Sequence, residues 1–261
     1  MVMSKEKMSR AKRLERIREE LSRQQEVSIE NLADKFGVTT MTIHRDFDFL
    51  ESGGEIVKTQ GGATMAKRLT FEFAFRGQQN MHRESKQAIA VWASKEVKDG
   101  NTIMLDTGTT TLEIARYLKE KKNITIITTS LAIVSELQFA DNIQVVFLGG
   151  YLRSGSPDMH GPLTEDNIEK FRADIAFIGA DGVDCDGNTF TDNLEVASLS
   201  RRMAKNSSKV IVVSDSSKLG RESMVKVLGG GDYDMIITDS GVSEKALCKL
   251  KKKVKVKVIK I

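Results

Sequence analysis

Proline is nearly absent from this chain of 261 residues, occurring twice. With so few breakers, long regular helices and strands are expected, and a Pro-rich disordered architecture is excluded. Cysteine also occurs only twice, at Cys185 and Cys248, far apart and without metal-ligand spacing. Free thiols in a reducing compartment are therefore expected, with no metal site and no cofactor. No apolar run approaches the roughly 20 residues that span a bilayer. The start, MVMSKEKMSRAKRLERIREE, has basic residues with no apolar stretch behind them, so no secretory signal is expected and the chain is placed in the cytoplasm. Hydrophobic residues make up 40 % of it, enough for a sizeable core, and the length suits two domains.

Charge is plentiful but unevenly placed. The net value is +4, yet residues 1–25 carry +4 and residues 245–261 carry +8, which leaves −8 for residues 26–244. A polyanion is attracted to the ends and repelled by the middle. The two ends differ in kind. The final KVKVKVIKI alternates Val254, Val256 and Val258 with Lys255 and Lys257, the period of a strand with one wet face. Lysines there either discourage edge-to-edge aggregation or contact DNA.

The first 65 residues read as three helices and a wing. Ala11, Leu14, Ile17 and Leu21 recur at helical spacing and leave the basic residues outside. Ser28 is placed to cap a short helix that buries Ile29, Leu32, Ala33 and Phe36 and stops at Gly37. Thr39 is placed to cap a third helix that buries Ile43, Phe47 and Leu50 and ends at Ser52-Gly53-Gly54. Two helices across a tight Gly-containing turn form a helix-turn-helix, and GGEIVKTQGGA reads as two short strands around a turn. An α-helix fits the major groove of B-DNA, so its outer face should carry polar and basic residues. The candidate DNA-facing residues are Ser28, Thr39, Thr40, Met41, Thr42, His44 and Arg45, with Lys58, Gln60, Gly61 and Gly62 in the wing. The bland alternative is a helical cap used for oligomerisation.

After a linker over 66–85 the pattern changes. Strand-like runs at 102–106, 124–130, 143–149, 174–182, 209–215, 235–239 and 254–261 alternate with helical stretches such as LEIARYLKE and LEVASLSRRMAK. This alternation predicts a Rossmann-like, mostly parallel α/β domain over 86–261. DTGTTTLEIARYL leaves a strand and opens a helix, so backbone N–H groups and the hydroxyls of Thr109, Thr110 and Thr111 can meet an anion. It lacks the GK[ST] ending of a nucleoside-triphosphate loop. Thr128, Thr129, Ser130, Gly149, Gly150, Gly179, Asp181, Gly182, Asp215 and Lys218 stand at the C-terminal ends of the expected strands, where ligands bind in open α/β sheets.

Residues 13–63 resemble the N-terminal signature of the DeoR family of bacterial repressors. The matching pieces are an opening helix, SIENLADKFGVT, TIHRD and a wing closing on GGA. His44 and Phe47 stand where that family usually has arginine and leucine. ESKQAIAVWA, DGNTIMLDTGTTTLEIARYL, FLGGYLR, FIGADGVDCDGNTF and SDSSKLG resemble the family's sensor domain, which is similar to ribose-5-phosphate isomerase. The resemblance implies that Asp106, Gly108, Thr109, Thr110 and Ser130 line a phosphate end, with Asp181, Glu195 and Lys218 near a sugar end. It implies a repressor of a sugar or polyol operon, bound as a homodimer or higher homo-oligomer to duplex DNA and released by a phosphorylated sugar. The competing expectation is a sugar-phosphate isomerase-like enzyme with an accessory helical module, since Asp181, Glu195 and Lys218 are residue types that can move protons.

Overall fold

The computed structural model describes residues 8–24, 26–52, 55–65, 78–153 and 156–261. The chain divides into two compact units, Met1–Gly77 and Gln78–Ile261.

In the first unit, Ser9 caps α1 (Arg10–Arg23), which buries Leu14, Ile17 and Leu21. Ala11 is exposed; the inner position belongs to Arg13, a difference from the apolar stripe expected. β1 (Glu26–Ser28) leads into α2 (Ile29–Phe36), with Ser28 accepting from Asn31 N as cap. Gly37 adopts φ +65°, which lets Val38 N return to Ala33 O and turns the chain toward α3 (Thr40–Ser52). Thr39 Oγ1 accepts from Thr42 N at 3.3 Å, so the expected cap is in place. β2 (Ile56–Thr59) and β3 (Gly62–Met65) form the wing hairpin. β1 adds a third strand on β3, giving the order β1-β3-β2. EVS is too short to show a strand period, so the pattern carried no sign of it. Gly53 and Gly54 lie outside the described residues, as do residues 66–77 of the expected linker; α4 (Arg83–Ser94) begins within that linker's last residues.

Phe47, Ile43 and Leu50 form the centre of this small core, together with Ile17. Beside them sits an ion pair. Arg13 Nε lies 2.5 Å from Asp46 Oδ2 and its Nη2 lies 3.2 Å from Oδ1, with Asp46 only 1 % exposed. Arg10 adds a contact at 3.3 Å to the same carboxylate while lying over the Phe49 ring. The pair ties the first helix to the third through two parallel bonds, the strong geometry for arginine and carboxylate.

The second unit is built on a seven-stranded parallel sheet. Its strands are β4 (Thr102–Leu105), β5 (Ile124–Thr128), β6 (Ile143–Phe147), β9 (Ala173–Gly179), β12 (Ser207–Val213), β14 (Met235–Asp239) and β15 (Val256–Ile259). They run in the order β15-β14-β12-β9-β4-β5-β6. Alternation sorts the sheet's side chains. Met104, Ala176, Ile178, Val210, Val212 and Ile236 enter the core shared with α7 (Pro162–Ile168), α8 (Leu194–Lys205) and α9 (Glu244–Leu250). Ile103, Leu105, Phe177 and Ile211 point the other way and are also fully buried. On that side α4 packs on α5 (Thr109–Leu118), which packs on α6 (Leu131–Leu137). Both faces being covered explains the near-continuous apolar runs. Two additions were not legible as strands: the hairpin β7–β8 (Tyr151–Leu152, Met159–His160), and a small antiparallel sheet of β10 (Gly182–Val183), β11 (Thr189–Thr191) and β13 (Val225–Lys226). Strands of two or three residues carry too few positions for a period to show.

Removing one partner of a buried pair strands the other charge, a cost of about 3–5 kcal/mol. Asp46→Ala is therefore expected to unfold the first unit at markedly lower denaturant than the parent chain, read by denaturant titration. A shift no larger than that of an exposed-site control such as Glu30→Ala would contradict the role given to this pair.

Candidate functional site

Two places gather the residues singled out in the sequence. On the first unit, α3 presents Thr40, Met41, His44 and Arg45 to solvent, with Met41 61 % exposed, while its opposite stripe is buried. Among the described residues Arg45 has no ion-pair partner. Thr42 is half-buried and its hydroxyl lies 3.0 Å from that of Thr39, so these two serve the turn first. Ser28 likewise spends its hydroxyl as a cap.

The wing residues divide. Gln60 and Gly61 are exposed at the tip, Gly61 with φ +96°. Lys58 turns back onto α3, bonded to Asp48 and 2.9 Å from Glu51, and both bonds raise its pKa. Gly62 is buried: a Cβ there would stand 2.2 Å from Val27 O. Its glycine is required by strand β1, a different reason from the DNA-facing place expected for it.

The second place is the C-terminal edge of the parallel sheet. From β4 the chain builds outward through β5 and β6 on one side, and from β9 through β12, β14 and β15 on the other. The order therefore reverses between β4 and β9, and a crevice outside the strand ends at such a switch point is where α/β sheets hold ligands. Asp106 spans that junction. Its N donates to Phe177 O, and its carboxylate accepts from Thr107 N at 2.8 Å, Gly179 N at 3.2 Å and Ser200 Oγ at 3.1 Å. The side chain is buried, and desolvation outweighs these bonds and pushes its pKa up to about 7.

Gly108, at φ +132°, swings the chain into α5, and no side chain caps that helix. Its first-turn N–H groups are left for another acceptor. Thr109 and Thr111 are buried, and Thr111 Oγ1 donates back to Gly108 O at 3.1 Å; Thr110 is half-buried. Ser130 caps α6 and bridges to Asp158. Gly149 and Gly150 take φ +65° and +124°, and a Cβ on Gly150 would sit 2.0 Å from Thr164 Oγ1, so packing demands this glycine. Asp181 accepts from Thr191 Oγ1 at 2.8 Å. Glu195, half exposed at the start of α8, lies 3.0 Å from His160 Nδ1 on β8. Lys218 ends a single helical turn that follows β12.

One residue here escaped the sequence reading. Lys86, in the first turn of α4, is buried and donates to Gln78 O and, at 2.9 Å, to Met81 O. Burial lowers its pKa, while Asp215 and Glu113 pull the other way and Lys218 adds repulsion. The signal was present in ESKQAIA: a lysine three and four residues before Ile89 and Ala90, on the apolar stripe. No group of His, Cys, Asp and Glu fit to hold a metal occurs among the described residues. No helix among them is long and apolar enough to cross a membrane.

The raised pKa of Asp106 has a pH signature. Between about pH 4 and pH 7 the folded carboxyl keeps a proton that the unfolded chain has released, so stability falls as pH rises through that window. Asn at this position removes the titration and adds a pH-independent cost, since its NH₂ meets donors. The stability of Asp106→Asn relative to the parent chain is expected to rise from pH 4 to pH 7 and level off above. Each tenfold change in the carboxylate's proton affinity on folding is worth about 1.4 kcal/mol. Parallel curves of melting temperature against pH would rule the buried titration out.

Comparison with known proteins bears on both places. A family model described as the DeoR-like helix-turn-helix domain matches residues 13–68, and one described as the DeoR C terminal sensor domain matches residues 81–240. A putative aga operon transcriptional repressor of Escherichia coli O157:H7 is 32 % identical over 93 % of this chain and 91 % of its own length. The glycerol-3-phosphate regulon repressor of Escherichia coli K12 is 30 % identical over 89 % of this chain and 92 % of its own. Among solved structures, ribose 5-phosphate isomerase A from Methanocaldococcus jannaschii is 24 % identical with a TM-score of 0.39, covering 51 % of this chain and 52 % of that one. The matching relatives are transcriptional regulators along nearly their whole length, so the enzyme expectation is set aside in favour of a regulator. The chain belongs to the DeoR family of DNA-binding transcriptional regulators.

Proposed function

We propose that this chain represses a sugar or polyol catabolic operon in the cytoplasm and leaves its operator when a phosphorylated sugar binds the second unit. The observation that carries the effector reading is the uncapped N-terminus of α5 at the sheet's switch point, behind Gly108 and above Asp106. Helix N–H groups and the positive end of the helix dipole favour an anion there. The cations Lys86 and Lys218 stand close enough to influence one another, and an anion between them would relieve that repulsion. Since this part of the chain is net acidic, attraction must come from such local donors. The names of the two relatives, an aga operon repressor and a glycerol-3-phosphate regulon repressor, support a carbohydrate-linked regulon.

The proposed ligand set is Asp106, Gly108, Thr109, Thr110, Thr111, Ser130, Gly149 and Gly150 at the phosphate end, with Asp181, Glu195 and Lys218 around the remainder. Lys86 joins it from the buried side. Within the set the roles differ. Thr111 and Gly150 shape the loops, Asp106 anchors them, and Thr110 and Lys218 meet the ligand.

At the other end, Thr40, Met41, His44 and Arg45 read the major groove while Gln60 and Gly61 touch the backbone. Ser28, Thr39, Thr42, Lys58 and Gly62 hold the reading elements in shape. A homodimer or higher homo-oligomer places two such helices on successive half-sites. Release requires that the effector bind one arrangement of the assembly better than the other. The connector over residues 64–88 is the element we assign to carry the difference.

Arg45→Ala is expected to cost about 1–3 kcal/mol of operator affinity. Gel shift or fluorescence anisotropy at fixed salt checks it, and a change below threefold would remove Arg45 from the reading set. Thr110→Val and Lys218→Gln are each expected to weaken sugar-phosphate binding at least tenfold and leave ligand-free DNA binding unchanged. Thermal shift against phosphorylated sugars, their unphosphorylated forms and inorganic phosphate checks this. If no phosphorylated sugar stabilises the parent chain, the effector reading fails.

A further inference from the structure

The lysines near the end of the chain remain unexplained by either function. Lys249, Lys251, Lys252, Lys253, Lys255, Lys257 and Lys260 are all exposed, and between them they have two close partners among the described residues. Lys253 stands 3.5 Å from Asp186, with both side chains more than half exposed. Lys257 lies over the Trp92 ring at 5.1 Å. β15 is the edge of the seven-stranded sheet, and Lys257 on it, with Lys255 just before it, suffices to discourage another strand from pairing there. The C-terminal end of α9 attracts one or two cations.

Together these reasons account for at most two of Lys249, Lys251, Lys252 and Lys253. They sit off the edge strand, at the end of α9 and in the turn after it, and three of them are consecutive. Gathering like charges costs free energy unless something neutralises them. Asp184, the other acid of the loop that packs on Val254, is bonded to Asn188 and to Asp186 N, so it does not serve.

We propose that this cluster, Lys249, Lys251, Lys252 and Lys253 with Lys255, is a second DNA-binding surface that grips phosphates outside the bases read by α3. Charge complementarity identifies the occupant. The flexible, exposed ammonium groups suit a polyanion of repeated phosphates and offer no planar fork for a single carboxylate. The operator already held by the first unit is the polyanion present at high effective concentration around the rest of the same molecule. Such contacts carry no sequence information. They add affinity and salt dependence through counterion release.

The test uses the full chain and two duplexes sharing one operator, one trimmed to the protected segment and one with flanking DNA on both sides. For K249Q/K251Q/K252Q/K253Q, the slope of log affinity against log salt on the long duplex is expected to be shallower by about 0.9 for each phosphate no longer neutralised. Affinity at low salt should fall at least tenfold there. The preference for operator over random DNA of the same length should not fall. The parent chain should prefer the long duplex and the variant should not. The corresponding Lys→Arg variant should restore slope and affinity, and so separates lost charge from a disturbed α9. An unchanged slope in a variant with parental melting temperature would overturn the proposal. So would a variant that loses retention on heparin or anionic vesicles with no change on either duplex, since the occupant would then be another polyanion. If the parent chain binds no DNA, the operator reading fails first and independently.

Discussion

One buried carboxylate fixes the end of the junction where β4 and β9 pair the two halves of the parallel sheet. Asp106 follows β4, the strand from which the sheet grows in both directions, and it accepts from the backbone at the end of β9, its neighbour across the reversal. Where strand order reverses, the connections leave in opposite senses and open a crevice, and a crevice lined by loose loops holds nothing well. Asp106 ties Thr107, Gly179 and Ser200 into one fixed edge, so that Gly108 and the first turn of α5 start from a set position. Burying a carboxyl there opposes folding at neutral pH, the direction its raised pKa records. A side chain that costs stability while organising a loop fits a binding edge better than a structural core.

The legible parts of the sequence were those with a long period or a cap. α8 was expected from LEVASLSRRMAK and spans those residues, and Ser28, Gly37 and Thr39 occupy the cap and turn positions their chemistry suggested. The order of the sheet was not legible, because which strand neighbours which is decided by packing among segments far apart in sequence. The small sheet of β10, β11 and β13 was hidden for lack of length. The buried charges were missed for another reason. Asp46 lies between Ile43, Phe47 and Leu50, and Lys86 lies beside Ile89 and Ala90, so each interrupts an apolar stripe. A charged residue on such a stripe signals a buried group with a partner, and the partner is supplied from elsewhere: Arg13 in one case, two carbonyls in the other. Residues singled out for ligands proved to have prior duties in several cases. Gly62, Thr111 and Lys58 are spent on the fold around them.

The two units solve different stability problems. The first has a small core, and its buried Arg13–Asp46 pair supplies a fixed angle between α1 and α3 that a few aliphatic contacts would leave loose. Buried pairs of this kind add little net stability over apolar residues and more geometric definition. Definition is what base reading needs, since a helix entering the groove must present its outer face at a set angle. The second unit has two covered faces and a much larger core, and can carry an uncapped helix, an unfavourable carboxyl and a buried lysine at one edge.

Charge partition follows from that division. On the proposed function, a polyanion held by one unit and a small anion held by the other cannot both be served by one global field, because a basic sensor would lie on DNA wherever it met it. The −8 of residues 26–244 spans α3 and the wing as well as the sheet, so the proposed effector site would rely on short-range donors at the sheet edge, N–H groups and lysines, rather than on the field outside. Net positive charge gathers at the two ends of the chain, although Lys and Arg, Arg45 and Lys58 among them, also occur between. On the proposal made for it, the Lys249–Lys253 cluster joins the DNA-facing electrostatics, although its residues are folded into the second unit.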